Sequence, residues 1–249
     1  MINGIYLTTS GMDVNQKRME ILSGNLANIN SVGYKKRNIS FLPFRDIDIS
    51  NLKDNSLLGK NAANLVITET TVNLENGSLK FTENPLDFAL NSRNFFVVED
   101  LNGNQLLTKN GFFELDSENY LVNQDGFKVL ADNGYINITD IGSFGVDTEA
   151  NILIDGEKTD KIKVVSVGSY EDLAVTDSPY FLLKDTAEAA EGIRVNLKQG
   201  FLETSNVNGV EEMVNMIAIM RAYEASQKAL HMQDETLSKV VNQVGKTNI

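Results

Sequence analysis

The chain has 249 residues, a net charge of −12 and no cysteine. That length suffices for one or two domains with a proper core. The missing cysteines exclude disulfides, thiolate catalysis and cysteine-ligated zinc. The acidic balance argues against nucleic acid as a partner, since phosphate binding needs clustered Lys and Arg. No run approaches the ~18 apolar residues of a membrane span. Charge is uneven. Residues 1–40 hold five basic side chains (Lys17, Arg18, Lys35, Lys36, Arg37) and two acidic ones (Asp13, Glu20), giving +3 there and −15 in the remainder. Either this basic end meets an acidic neighbour, or it is a solvated helix face and turn.

In chain order, Ile5, Met12, Met19 and Leu26 sit seven apart, with Leu22 and Ile29 on the adjoining row. This spacing predicts a first helix from about Asn3 to Asn28 with a coiled-coil-like seam. Gly4, Gly11 and Gly24 would each cost about 1 kcal/mol relative to Ala, so the helix needs packing to persist. Gly33 is expected to end it in the left-handed conformation. Asn25 and Asn28, near the helix end, either cap it or hydrogen-bond to another subunit. Residues 1–33 are read as one region. Met1 to Ser10 lacks a basic start and a long apolar run, so if the protein is exported, a route without a cleaved leader is expected. Residues 34–64, rich in Asn, Ser and Asp, read as an extended arm or loop.

Residues 65–200 read as an antiparallel all-β domain, giving a mixed α and β chain. Candidate strands are Phe95–Glu99, Phe112–Leu115, Tyr120–Val122, Phe127–Leu130, Tyr135–Ile138, Ile152–Ile154, Ile162–Val167, Phe181–Leu183 and Ile193–Leu197. Asn-Gly or Asp-Gly pairs begin at Asn102, Asn110, Asp125, Asn133 and Asp155. Such pairs supply the positive φ angles of tight hairpins.

Residues 201–249 read as a polar hinge, Glu203 to Asn208, and a final helix. Asn208 and Glu211 have capping-box spacing. Met213, Met216, Met220, Tyr223, Leu230, Leu237, Val241 and Val244 follow a 3-4 spacing broken only by Gln227 and Asp234. A helix of ~35 residues is about 50 Å long, longer than a middle domain of this size covers. Its seam asks for another helix, from the N-terminus or from another copy. Methionine suits a surface that must fit several non-identical neighbours; ordinary core methionine at helical spacing is the alternative. Arg221 and Glu224, three apart, either fix register between helices or form a surface pair.

No cofactor, metal or catalytic site is expected. His231 is the one histidine and lies beside the seam of a long helix rather than in a Ser-His-Asp setting. Asp147–Asn151 faintly resembles a calcium loop, but Ile152 stands at the sixth place and Lys158 at the twelfth, where Gly and Glu are required. A hairpin turn explains the stretch better. No Gly-rich phosphate motif follows a strand.

Four blocks resemble the bacterial flagellar rod and hook proteins. They are Asn25-Leu26-Ala27-Asn28 through Gly33-Tyr34-Lys35; Thr82-Glu83-Asn84-Pro85-Leu86-Asp87 with Phe95-Phe96; Thr108-Lys109-Asn110-Gly111-Phe112-Phe113; and Gly200-Phe201-Leu202-Glu203-Thr204-Ser205-Asn206 with Glu211-Glu212-Met213 and Arg221-Ala222-Tyr223-Glu224. Asn94 and Asn119 replace a Gly usual in that family, and Lys109 replaces an Arg. Asn tolerates left-handed backbone, which makes the two Asn swaps mild. The resemblance implies terminal helices in an inner coiled-coil layer, a β domain outside, and secretion through the flagellar export apparatus. It also implies assembly with copies of itself and neighbouring rod and hook proteins in the basal body. The length resembles a rod subunit rather than a hook protein, whose middle is larger. Two other classes remain as readings: a β-rich binding module or adhesin on a helical oligomerisation stalk, and a glycan-processing enzyme with a converging carboxylate pair.

Overall fold

The computed structural model describes residues 2–43, 47–50, 57–61, 65–90, 93–139, 141–168, 173–175, 179–184 and 194–244. Helix α1 spans Ile2–Ala27 and helix α2 spans Gly209–Val244. Between them the chain is antiparallel β-structure. It divides into two compact units. One comprises Met1–Leu26, Asn38–Thr70 and Gly209–Ile249, the other Ala27–Arg37 and Thr71–Asn208.

The two helices pair within the first unit. Asn25 Nδ2 donates to Glu212 Oε2 at 3.0 Å, and a Cβ on Gly4 would stand 3.4 Å from the Gln233 amide. Advancing 21 residues along α1, from Gly4 to Asn25, thus retreats 21 along α2, from Gln233 to Glu212. The helices are antiparallel, in a register kept for about 31 Å at 1.5 Å per residue. The same register sets Val14, a buried apolar residue of α1, opposite Tyr223.

The segment expected to be a loose arm is β-ribbon where it is described. Arg37–Pro43 pairs with Leu65–Val72, and Ile47–Ser50 with Leu57–Asn61. Arg18 of α1 stands 4.5 Å over the Phe41 ring. Pairing satisfies backbone groups that an open arm would leave to water.

The second unit is built on the strand Asn94–Glu99, which pairs with Gln105–Thr108, Lys128–Ala131 and Val164–Ser166. Strand alternation sends its side chains to opposite faces. Phe96 and Val98 enter one apolar cluster with Phe88, Phe113 and Leu121. Phe95 and Val97 enter another with Leu107, Leu130 and Phe181. A strand covered on both faces reads as a continuous apolar run, which Phe95 to Val98 is. A separate three-stranded sheet comprises Phe144–Val146, Asn151–Ile154 and Glu157–Lys161.

Several expectations are corrected. Pairing in the expected strand Phe112–Leu115 is confined to Glu114–Leu115, with a single bridge from Phe112 to Asp87. Four of the five expected Gly turns have positive φ, at Gly103, Gly126, Gly134 and Gly156. Gly111 does not: a Cβ there would fall 1.8 Å from the Phe88 carbonyl oxygen, so this Gly serves close backbone packing. Asn119 is left-handed, at φ 63°. Asn94 is not. Its buried amide donates to the Arg194 carbonyl at 3.3 Å and accepts from Ser166 Oγ, so it substitutes for Gly by hydrogen bonding, not by conformation. The expected hinge begins on anchored structure, since its first residue, Glu203, is buried and ends the strand Phe201–Glu203 paired with Leu79–Phe81, and the two units divide at its far end, between Asn208 and Gly209. Ile193 lies outside the described residues.

Candidate functional site: the helix pair and the buried motif junction

Of the residues expected on an assembly seam, Ile5, Met12, Met19, Leu22 and Leu26 are half-buried along α1. Ile29 is half-buried too, but beyond the end of α1 and in the second unit. On α2 the single expected seam divides into two rows. Met216, Tyr223, Leu230 and Leu237 are half-buried, together with Ile219, Ser226 and Gln233; Glu212 is fully buried at the head of this face. This is the face in register with α1. Met213, Met220 and Val241 are 48, 48 and 68% exposed. Gln227 and Asp234, the two breaks in the pattern, belong to this outer row and are exposed. Val244 ends the helix; its side chain lies outside the described residues. Arg221 and Glu224 are exposed on α2.

The outer face carries more apolar surface than the spacing indicated. Val210, Val214 and Ile217 are 71, 61 and 53% exposed and stand beside Met213 and Met220. At 100° per residue these five cover an arc from about 280° to 40°, measured from Val210, while the inner face centres near 210°. The first three turns of α2 are therefore apolar on two faces, of which α1 is in register with one. Beyond Met220 the outer arc holds Glu224, Lys228 and His231, all exposed.

Asn25 neither caps α1 nor reaches outward. It and Glu212 are both 0% exposed, and their hydrogen bond joins the two helices. Asn28 bonds locally: its carbonyl accepts from the Ser31 N–H at 3.2 Å and its side chain from Ser31 Oγ at 3.0 Å.

Within the second unit, residues far apart in sequence converge on Glu203. Lys35 Nζ donates to Glu203 Oε1 at 2.6 Å and to the Glu75 carbonyl at 2.6 Å. The Gly77 N–H donates to Glu203 Oε1 at 2.8 Å. Lys109 Nζ lies 3.9 Å from Glu203 Oε2 and 5.1 Å over the Phe95 ring. All three charged side chains are 1% exposed. Two lysines thus share one carboxylate away from water. Burial, partly opposed by Glu203, lowers Lys109 to about 7, with Lys35 adding a further push downward.

Gly33 closes the same junction. It has φ 68°, and a Cβ there would fall 2.4 Å from the Lys109 carbonyl carbon. Its N–H donates to the Glu203 carbonyl at 2.7 Å. It lies well past the end of α1 at Ala27, so it is a packing residue rather than the helix terminator expected. Asn206 adds a clasp, accepting from the Lys36 N–H at 2.6 Å and donating to the Asn73 and Glu75 carbonyls at 3.0 Å. Part of the basic surplus of residues 1–40 is thus matched inside the chain, by Lys35 with Glu203, while Lys17 pairs with Glu20 at 2.6 Å within the same stretch.

A cleft of about 380 Å³ lies in the second unit, lined by Asn28, Gly33, Thr108, Asn123, Asp125 and Tyr180 among others. Asp125 is the one carboxylate in this lining, and it accepts from the Tyr180 hydroxyl. Burial and this carboxylate push the Tyr180 phenol up. Glycoside hydrolysis requires two flanking carboxylates, which this cleft does not offer. Asp147 forms the expected hairpin turn, its Oδ1 accepting from the Glu149 and Asn151 N–H groups at 2.9 Å each. His231 is exposed on α2. Among the described residues no helix is long and apolar enough to cross a membrane.

Three family models match in chain order. One, described as "Flagella basal body rod protein", matches residues 5–35. Another, "Flagellar hook protein FlgE/F/G D1 domain", matches residues 89–169. A third, "Flagellar basal body rod FlgEFG protein C-terminal", matches residues 198–244. Each stretch contributes one member of the buried triad: Lys35, Lys109 and Glu203. The chain is similar to the flagellar basal-body rod protein FlgG of Buchnera aphidicola subsp. Acyrthosiphon pisum, with 30% identity over 96% of this chain and 99% of the relative. It is similar to the FlgG of Bacillus subtilis at 29%, covering 97% and 99%. It is also similar to the flagellar hook-basal body complex protein FlhO of Bacillus subtilis at 27%, covering 99% and 100%.

Proposed function

The chain belongs to the family of flagellar basal-body rod proteins, and from that premise we propose that it polymerises through its terminal helices into part of the shaft between motor and hook. It is a structural subunit of the flagellar basal body, and its neighbours are other rod and hook proteins. The supporting observation is the second apolar face of α2, where Val210, Met213, Val214, Ile217 and Met220 are 48 to 71% exposed. Such a patch on a surface helix marks an interaction site. Covering one of these half-exposed side chains contributes on the order of 1 kcal/mol, so several contacts must act together against the entropy of association. A contact between unlike surfaces that does not close on itself yields a filament. Asn25, bonded to Glu212, sets the register of the helix pair, and Arg221 and Glu224, exposed on α2, are placed to fix register with a neighbouring subunit. The subunit reaches the rod through the flagellar export apparatus.

A paired substitution tests this reading. Met220→Asp puts a charge on the outer face and should abolish rod assembly and motility with little change in the subunit's melting. Met216→Asp puts it on the face in register with α1 and should loosen the helix pair itself. Assembly and motility retained in Met220→Asp would contradict the proposal.

A further inference from the structure

The ribbon of Leu79–Phe81 and Phe201–Glu203 presents an exposed aromatic patch on the second unit. Phe81 pairs with Phe201 across the ribbon, their ring centroids 4.9 Å apart. Leu79 and Phe81 are 43 and 59% exposed. Lys198 Nζ stands 5.8 Å over the Phe201 ring, whereas Lys80, exposed and paired with Leu202, belongs to the other face of the ribbon. Beside the patch, Leu79, Ala89, Asn196 and Lys198 help line a hollow of about 250 Å³. The patch is apolar with a lysine at its edge, on a chain whose net charge is −12.

We propose that this patch docks the first turns of α2 from a second copy of the chain. The complement is carried by the chain itself. Val210, Val214 and Ile217 form an exposed apolar ridge at i, i+4 and i+7, and the exposed Glu211 stands at its head. Leu79, Phe81 and Phe201 supply an apolar surface of matching character, and Lys198, over the Phe201 ring, supplies a cation for the acidic helix start. The two surfaces differ, so each docked copy leaves one patch and one ridge free for the next, and the contact propagates. This inference rests on the rod reading above and adds to it the surface that receives the helix.

The absence of native cysteine makes disulfide trapping a clean test. Cells would co-express one chain carrying Phe81→Cys and another carrying Val214→Cys. After mild oxidation of isolated basal bodies, the proposal expects a product of twice the subunit mass containing one chain of each kind, absent when either variant is expressed alone. Lys198→Glu should lower incorporation several-fold, and Glu211→Lys in the same chain should restore it. Basal bodies that contain both cysteine variants and support motility without the mixed product would overturn the docking and leave the rod reading standing. A disulfide within a single dilute chain carrying both substitutions would place the contact in cis and overturn the proposal as well. If the unaltered chain were missing from basal bodies, the rod reading would fail first.

Discussion

Lys35 Nζ lies 2.6 Å from Glu203 Oε1, across 168 residues of sequence, with both side chains 1% exposed. A buried ion pair is a weak source of net stability but a strong constraint, because removing one member strands the other in low dielectric. Lys35→Met should destabilise the β-rich unit by about 3–5 kcal/mol. The double variant Lys35→Met with Glu203→Met should recover part of that loss. Denaturant melts of both single variants and the double variant check this, and a double-variant loss equal to the sum of the two single losses would show that the pair is not coupled.

Lys109 makes stability depend on pH with a definite sign. Its folded value is lowered from 10.5 to about 7. Between these values the unfolded chain binds more protons than the folded one, so stability should rise as pH increases from 7 toward 10.5. Below 7 the penalty of burying the charged form is fully present. Lys109→Met should flatten this rise while leaving the acid limb intact. Melting followed from pH 6 to 10 reads the difference; a wild-type curve that falls over this range would contradict the assignment.

The link between Asn25 and Glu212 should hold the helix pair together at its end near Gly209. Both side chains are 0% exposed, so Asn25→Ala removes a hydrogen bond to a buried carboxylate at a cost of about 1–3 kcal/mol. Hydrogen exchange should quicken in the last turns of α1 and the first turns of α2, with the strand Asn94–Glu99 unaffected. Faster exchange confined to the β-rich unit would mean the bond is incidental to helix pairing.

Much of this architecture was legible in the sequence, and the exceptions share a cause. Helical periodicity and Asn-Gly spacing are local signals, so both helices and four of five Gly turns follow from them. Which face of α2 packs inward is not local. The true inner row contains Glu212, Ser226 and Gln233, whose polarity disguises it, while Met213 and Met220 made the outer row look like core. The breaks at Gln227 and Asp234 were the available clue, since both fall on the outer row. Lys35, Lys109 and Glu203 are charged residues that any single-sequence reading sends to the surface. Their burial depends on one another, and only their recurrence in separate motif blocks hinted that they meet. Gly33 was read from its conformation, which is right, whereas its reason is the Lys109 backbone against it.

The chain's own methionines offer the most direct measurement of the central claim. Met213 and Met220 are each 48% exposed on the outer face of α2, and Met216 is half-buried on the inner face. Oxidation by dilute peroxide, read by mass spectrometry, should modify Met213 and Met220 readily in the isolated subunit. In assembled basal bodies both should be strongly protected, with Met216 slow in either state. Equal oxidation of Met213 and Met220 before and after assembly would show that the outer face of α2 stays in water in the rod, and would contradict polymerisation through the terminal helices.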